Sequence, residues 1–112
     1  MDFNIKMIGD AVAIVRPNGR LTMVAASELK AVVERAVTSG RISIVVDLAE
    51  TTFMDSSGLG ALVGGLRATR AAGGNLRIAR PGAQVLTVLE LTTMDRVLHP
   101  YGSVEDALSA GG

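Results

Sequence analysis

The sequence predicts a single α/β domain in which helices cover a mixed sheet of four to five strands. Three observations support this fold class. β-Branched strand segments alternate with amphipathic helical segments along the chain, an order typical of a helix-covered sheet. Residues 42–48 form a nearly continuous aliphatic run, which is typical of a parallel strand buried on both faces. The 112 residues suffice for one hydrophobic core, so we expect one domain over residues 1–112, with a core of about 3–108.

The first third of the chain predicts a β-hairpin followed by a helix. Residues 3–8 and 11–16 are strand candidates joined by a glycine-containing link, and residues 17–19, Pro-Asn-Gly, are predicted to form a turn. Thr22 is placed to cap a helix that Gly40 ends. The apolar positions of this helix predict the face that packs on the sheet: Ala25, Leu29, Val32, Val33 and Ala36.

The remainder of the chain continues the alternation. Residues 50–54 are interpreted as a connection to a second helix, which runs to about residue 72. A strand over 76–79, a helix over 81–91 and a short edge strand at Val97-Leu98 are predicted next. Ser103 followed by Asp106 resembles a capping box that opens a last helix. The helices over 23–38 and 57–72 are expected to cover one face of the sheet. The core residues predicted for this arrangement are Val45, Leu48, Leu62 and Leu66.

The composition excludes several function classes. The chain has no cysteine and one histidine, which argues against disulfides, thiol catalysis and Cys- or His-rich metal sites, so no cofactor or metal is expected. Eleven basic residues balance eleven acidic ones, so no large field of one sign recruits nucleic acid or a membrane. No apolar run approaches the roughly 20 residues of a membrane span. The first residues lack a signal-peptide pattern, and a cytoplasmic location is expected.

The segment that carries the chemistry is Asp55-Ser56-Ser57-Gly58-Leu59-Gly60, between a predicted buried strand and a helix. Aspartate and serine are favoured helix N-caps, so capping alone explains one of these polar residues. It does not explain the glycines, since each glycine inside a helix costs about 1 kcal/mol relative to alanine. The segment and the turn after it contain Gly58, Gly60, Gly64 and Gly65. Something must therefore approach the helix backbone closely, either the sheet beneath it or a partner above it.

Residues 47–60, read Asp-Leu-Ala-Glu-Thr-Thr-Phe-Met-Asp-Ser-Ser-Gly-Leu-Gly, resemble the signature of STAS-domain anti-sigma-factor antagonists. Residues 19–21, Gly-Arg-Leu, also match, and the resemblance extends from about residue 5 to residue 108. It implies a STAS-type fold and a regulator that is not an enzyme. The unphosphorylated form would bind an anti-sigma factor that is also its serine kinase, and so release a sigma factor. A PP2C-type phosphatase would reset it.

The resemblance also implies which residues form the site. The second serine of the pair is the phosphoacceptor in the family, and here that residue is Ser57. Thr22 stands where family members usually carry an aspartate close to the phosphorylation site. The residues that the resemblance places at the partner surface are Thr22, Asp55, Ser56, Ser57, Gly58, Leu59 and Gly60.

Three alternatives compete with this interpretation. Gly58-Leu59-Gly60 followed by Gly64 imitates a dinucleotide-binding loop, with Arg80 as a phosphate partner, but such a loop needs glycine directly after the strand. A serine hydrolase would need Ser57 beside His99, and the sequence lacks a Gly-x-Ser-x-Gly elbow. The third alternative remains within the resemblance, because STAS domains also serve as scaffolds of signalling complexes or as partners of transporters.

Overall fold

The computed structural model describes residues 2–110. In chain order its elements are β1 (Asp2–Ile8), β2 (Val12–Leu21), α1 (Met23–Thr38), β3 (Ser43–Asp47), β4 (Thr51–Met54), α2 (Ser56–Ala71), β5 (Asn75–Ala79), α3 (Ala83–Leu91), a 3-10 helix (Met94–Arg96), β6 (Pro100–Tyr101) and α4 (Val104–Ala110). The predicted mixed α/β architecture is confirmed, with six strands rather than four to five.

The sheet is built around the long strand β2. Strands β1, β2, β3, β5 and β6 lie side by side in that order, and β4 pairs with β2 outside this path. The β1–β2 pair is antiparallel and the other pairs are parallel. Residues Val12–Val15 of β2 pair with β3, and residues Gly19–Leu21 pair with β4. Strand β2 therefore supports two successive parallel partners along its length.

Helices α1, α2 and α3 share the main core on one face of the sheet, and α4 covers the other face. The predicted stripe of α1 is buried in full, because its positions recur at helical spacing. Leu48, Leu62 and Leu66 belong to this main core, as expected. Val45 is buried as well, but it packs with Ala79 and Ala107 on the face covered by α4.

Three local predictions are wrong. Residues 17–19 lie inside β2 instead of forming a turn, and Gly19, with φ of 104°, sits where the β2–β4 register shifts. The predicted connection over residues 50–54 contains β4, because β2 continues far enough to pair with it. Val97-Leu98 is not a strand, because the chain turns there after the 3-10 helix and Leu98 belongs to the main core.

An ion pair between a buried aspartate and a more exposed arginine links the ends of β3 and β5. Asp47 is 3% exposed, and its carboxylate accepts hydrogen bonds from Nε and Nη2 of Arg80. These hydrogen bonds raise the pKa of Arg80 above its ordinary value. Arg80 itself has a left-handed φ of 54°, which turns the chain from β5 toward α3. The ion pair and the left-handed residue thus lie at the turn between β5 and α3.

Candidate partner-binding site

The starts of α1 and α2 lie side by side because the strands before them are neighbours. Leu21 of β2 pairs with Met54 of β4, and each strand passes directly into its helix. The next residues, Thr22 and Asp55, are the N-caps of α1 and α2. The free amides and positive dipole ends of two helices therefore open at one edge of the sheet.

The two N-caps differ in chemistry. Asp55 Oδ1 accepts a 3.0 Å hydrogen bond from the amide of Gly58, which satisfies one free donor of the first turn of α2. Thr22 occupies the N-cap position of α1, but its side chain makes no capping bond. The start of α2 is thus fixed by a carboxylate, whereas the start of α1 is fixed only by its backbone and packing.

Two side chains hold β4, and therefore the entry to α2, in place. The amide of Gln84 in α3 bonds Met54 twice: Met54 N donates to Gln84 Oε1 at 2.8 Å, and Gln84 Nε2 donates to Met54 O at 2.9 Å. The Gln84 side chain thus forms the backbone hydrogen bonds that a neighbouring strand would otherwise form with the outer edge of β4. Across the β2–β4 pair, the Arg20 guanidinium lies 4.4 Å from the centroid of the Phe53 ring.

A groove between α1 and α2 begins at these helix ends and contains an open cavity of about 250 Å³. We call it the α1–α2 groove. Its lining residues are Met23, Ala26, Ser27, Lys30, Ser57, Gly60 and Ala61. Ser57 is half-buried, and its hydroxyl makes no hydrogen bond with any residue in the range 2–110. Ser56 is exposed and lies outside the groove, so the two neighbouring serines differ in environment.

Met23, which lines the α1–α2 groove, and its chain neighbour Val24 form an exposed apolar pair. Met23 and Val24, in the first turn of α1, are each 72% exposed, whereas the following Ala25 and Ala26 are 6% exposed. Two large apolar side chains at a helix start gain nothing from folding when they face water. Together with the open groove, they form a surface suited to bind a protein partner.

The glycines of α2 serve two different purposes. A Cβ on Gly58 would lie 2.4 Å from the carbonyl oxygen of Leu21, and one on Gly65 would lie 3.1 Å from Leu76 Cδ1. These two glycines let the helix approach the sheet. A Cβ on Gly60 or Gly64 would meet no atom within 4 Å. Those two leave the helix backbone open. Close packing on the sheet thus explains Gly58 and Gly65, whereas the approach of a partner at Gly60 and Gly64 stays a prediction.

Most of the residues predicted for the site gather at this edge. Thr22, Asp55, Ser56, Ser57 and Gly60 lie around the two helix starts. Gly58 and Leu59 are buried beneath them, and their direct role in the structure is packing.

The sequence reasoning missed the residues of α1 that line the α1–α2 groove or lie exposed next to it: Met23, Val24, Ser27 and Lys30. The available signal was the apolar pair Met23-Val24, which precedes the buried stripe of α1 and has no place in it.

The positions of His99 and Gly58 do not support a serine hydrolase or a dinucleotide-binding loop. His99 packs edge-on against Tyr101, with ring centroids 5.1 Å apart, at the β6 edge of the sheet. Gly58 approaches Leu21 of the protein itself, which leaves no room there for a phosphate. Within residues 2–110, no group of three or more acidic, histidine or cysteine side chains could hold a metal ion. None of the helices in the same range has the length and apolar character needed to cross a membrane.

The model of the STAS domain family matches residues 3–107. The chain belongs to the STAS domain family. A Thermotoga maritima protein, provisionally named an anti-sigma factor antagonist, is 30% identical over 107 residues, which cover 95% of this chain and 94% of that protein. The crystal structure of a T. maritima protein with the same provisional name has a TM-score of 0.88 at 29% identity and covers 97% of this chain and 93% of that one.

The fold is shared with a protein known in a phosphorylated form. The Bacillus cell fate determinant SpoIIAA in its phosphorylated form has a TM-score of 0.75 at 22% identity, covering 97% of this chain and 98% of that one. At this level of identity the likeness shows the fold.

Proposed function

We propose that this protein is a cytoplasmic anti-sigma-factor antagonist, switched off by phosphorylation of Ser57. The observation that carries the proposal is the position of the Ser57 hydroxyl, which is unbonded and lines the open groove between two helix starts. The exposed pair Met23 and Val24 beside it provides apolar surface for a partner. The relatives named as anti-sigma factor antagonists indicate which partner to expect.

In the active state, the unphosphorylated protein binds an anti-sigma factor through the α1–α2 groove and its apolar border. The anti-sigma factor then releases its sigma factor. Gly60 and Gly64 allow a partner backbone to approach α2 closely, because no side chain stands in between. The protein acts by binding and not by catalysis.

The same partner is the kinase in this proposal. The Ser57 oxygen attacks the terminal phosphorus of ATP, the bond from that phosphorus to the ADP oxygen breaks, and the hydroxyl proton passes to a base of the kinase. A PP2C-type phosphatase later hydrolyses the serine phosphate and regenerates the hydroxyl. Phosphorylated SpoIIAA supports the step, since it shows that this fold accommodates a phosphate.

The physical basis of the switch is the cost of burying the phosphate. A phosphoserine carries about −1.5 to −2 charges near neutral pH. In the free domain, this charge lies at a helix start in contact with water and free amides. In the complex it would be desolvated close to Asp55. Leaving one charge unpaired in an interface costs several kcal/mol, enough to weaken binding about a hundredfold or more.

The proposal is tested with the parent protein and the variants Ser57→Ala and Ser57→Asp as baits in an extract of the native host. We expect the parent and Ser57→Ala to capture an anti-sigma factor with kinase activity, and Ser57→Asp to retain less of it. The captured kinase, purified and titrated against each bait, gives the affinities. Equal capture by all three baits, or capture of a transporter or a scaffold protein instead, would support the alternative role within the STAS family.

A further inference from the structure

The geometry assigns a second residue to the switch: we propose that Lys30 of α1 holds the phosphate on Ser57 by an ion pair across the α1–α2 groove. This inference rests on the proposed function, because it concerns the phosphorylated form of Ser57. Nothing in the sequence pattern of residues 47–60 points to Lys30, which lies on the other helix, 27 positions earlier in the chain.

Lys30 and Ser57 line the same cavity of about 250 Å³ from opposite helices. The rest of the lining consists of Met23, Ala26, Ser27, Gly60 and Ala61, so Lys30 is the one titratable residue among those that line it. A phosphate attached to Ser57 would therefore lie beside a small cavity whose lining includes one cationic residue, Lys30. The lysine side chain is long and flexible, and its ammonium group has three donors for phosphate oxygens.

Lys30 is available for this role. It is exposed, and its ammonium group forms no ion pair or hydrogen bond within the described part of the chain. Asp55, two residues before Ser57, is not among the lining residues, and its Oδ1 accepts a hydrogen bond from the amide of Gly58. The unmodified groove thus contains a free positive charge and no negative charge on its lining, which is the complement of a phosphoserine.

The ion pair increases the effect of phosphorylation on partner binding. In the free phosphorylated domain, Lys30 and the free amides of α2 neutralise part of the phosphate charge. A partner that covered the groove would have to separate or desolvate this pair, which adds a cost that the unmodified protein does not have. Lys30 would accordingly favour the dissociated, phosphorylated state.

The test uses phosphoserine encoded genetically at position 57, so that no kinase is needed. Phosphorus NMR across a pH titration measures the second pKa of the phosphoserine in the parent, Lys30→Gln, Lys30→Arg and Lys6→Gln proteins. Lys6 is the matched control, because it lies on an exposed edge strand and lines a different cavity with Ile14 and Arg16. Circular dichroism checks that each variant is folded.

A cation next to the phosphate favours the dianion and lowers this pKa. We expect Lys30→Gln to raise the pKa of the phosphoserine by about half a unit. Lys30→Arg and Lys6→Gln should leave it within about a tenth of a unit of the parent value, since the first keeps the charge and the second is remote. An unchanged pKa in Lys30→Gln, or an equal rise in Lys6→Gln, would overturn the inference.

Failure of the ion pair and failure of the proposed function can be told apart. If cells never phosphorylate Ser57 but the encoded phosphoserine shows the Lys30-dependent shift, the proposed function fails and the ion pair stands. If Ser57 is the cellular phosphosite but Lys30→Gln has no effect on the pKa, the ion pair fails and the proposed function stands.

Discussion

The glycines of α2 provide a stability test that separates steric contact from helix propensity. We expect Gly58→Ala to destabilise the domain and Gly64→Ala to stabilise it. An alanine methyl at position 58 would lie 2.4 Å from the Leu21 carbonyl oxygen and 2.7 Å from Met54 Cγ. At position 64 it would meet no atom within 4 Å other than its chain neighbours and the nearby backbone of α2. The Leu21 backbone cannot yield easily, because Leu21 is paired with Met54 in the sheet.

The magnitude follows from two opposing effects. Alanine stabilises a helix by about 1 kcal/mol relative to glycine, and this gain applies to both variants. Overpacking at a close contact costs about 1–3 kcal/mol and applies only at position 58. The difference between the unfolding free energies of the two variants therefore isolates the steric cost. We expect about 2–3 kcal/mol, the upper part of that range, because the contact is with a backbone atom. Gly58→Ala should then be about 1–2 kcal/mol less stable than the parent. Gly64→Ala should exceed the parent by about 1 kcal/mol.

Urea unfolding followed by circular dichroism measures these free energies, with the slope of the transition as a check that the unfolded state is unchanged. The Gly64→Ala protein should unfold at a higher urea concentration than the parent, and the Gly58→Ala protein at a lower one. If both midpoints rise by the same amount, Gly58 is not in close contact with β2 and the description of the helix start is wrong.

Three further predictions concern the groove and the support of α2. Met23→Gln should weaken binding of the anti-sigma factor about tenfold at an unchanged melting temperature. Leu91, which is 80% exposed on α3, provides the control, and Leu91→Gln should leave the affinity measured by titration unchanged. Asp55→Ala should lower the free energy of unfolding by about 1 kcal/mol, since the cap to Gly58 is lost; no change in urea midpoint would show that the cap is dispensable. Gln84→Ala should lower it by about 1–3 kcal/mol by leaving the Met54 amide and carbonyl unpaired, and amide hydrogen exchange at Met54 should accelerate; unchanged exchange would rule out this support.

The elements with regular apolar spacing could be predicted from the sequence. The burial of α1 and β3 could be predicted from the apolar stripe of α1 and the continuous apolar run of β3. Such patterns depend only on residues within one element. The helix start at Asp55 was likewise visible, since capping is a local interaction.

The features that were missed depend on contacts between distant parts of the chain. Pro17 and Gly19 suggest a turn locally, yet β2 continues through them because β1 pairs opposite Pro17 and β4 pairs opposite Gly19. Strand β4 has four residues, too few for a pattern, and exists as a strand only through that pairing. The α1–α2 groove required knowing that two helices about 30 residues apart begin side by side, and no spacing within residues 47–60 contains that information.

The role of Ser57 is tested most directly by mapping where the captured kinase places phosphate. The parent, Ser57→Ala and Ser56→Ala proteins are incubated with the kinase and ATP, and the modified residue is located by mass spectrometry. We predict phosphate on Ser57 in the parent and in Ser56→Ala, and no phosphate in Ser57→Ala, because Ser57 alone of the two serines lines the groove. Phosphate on Ser56 or Thr22, with Ser57→Ala still fully modified, would contradict the account.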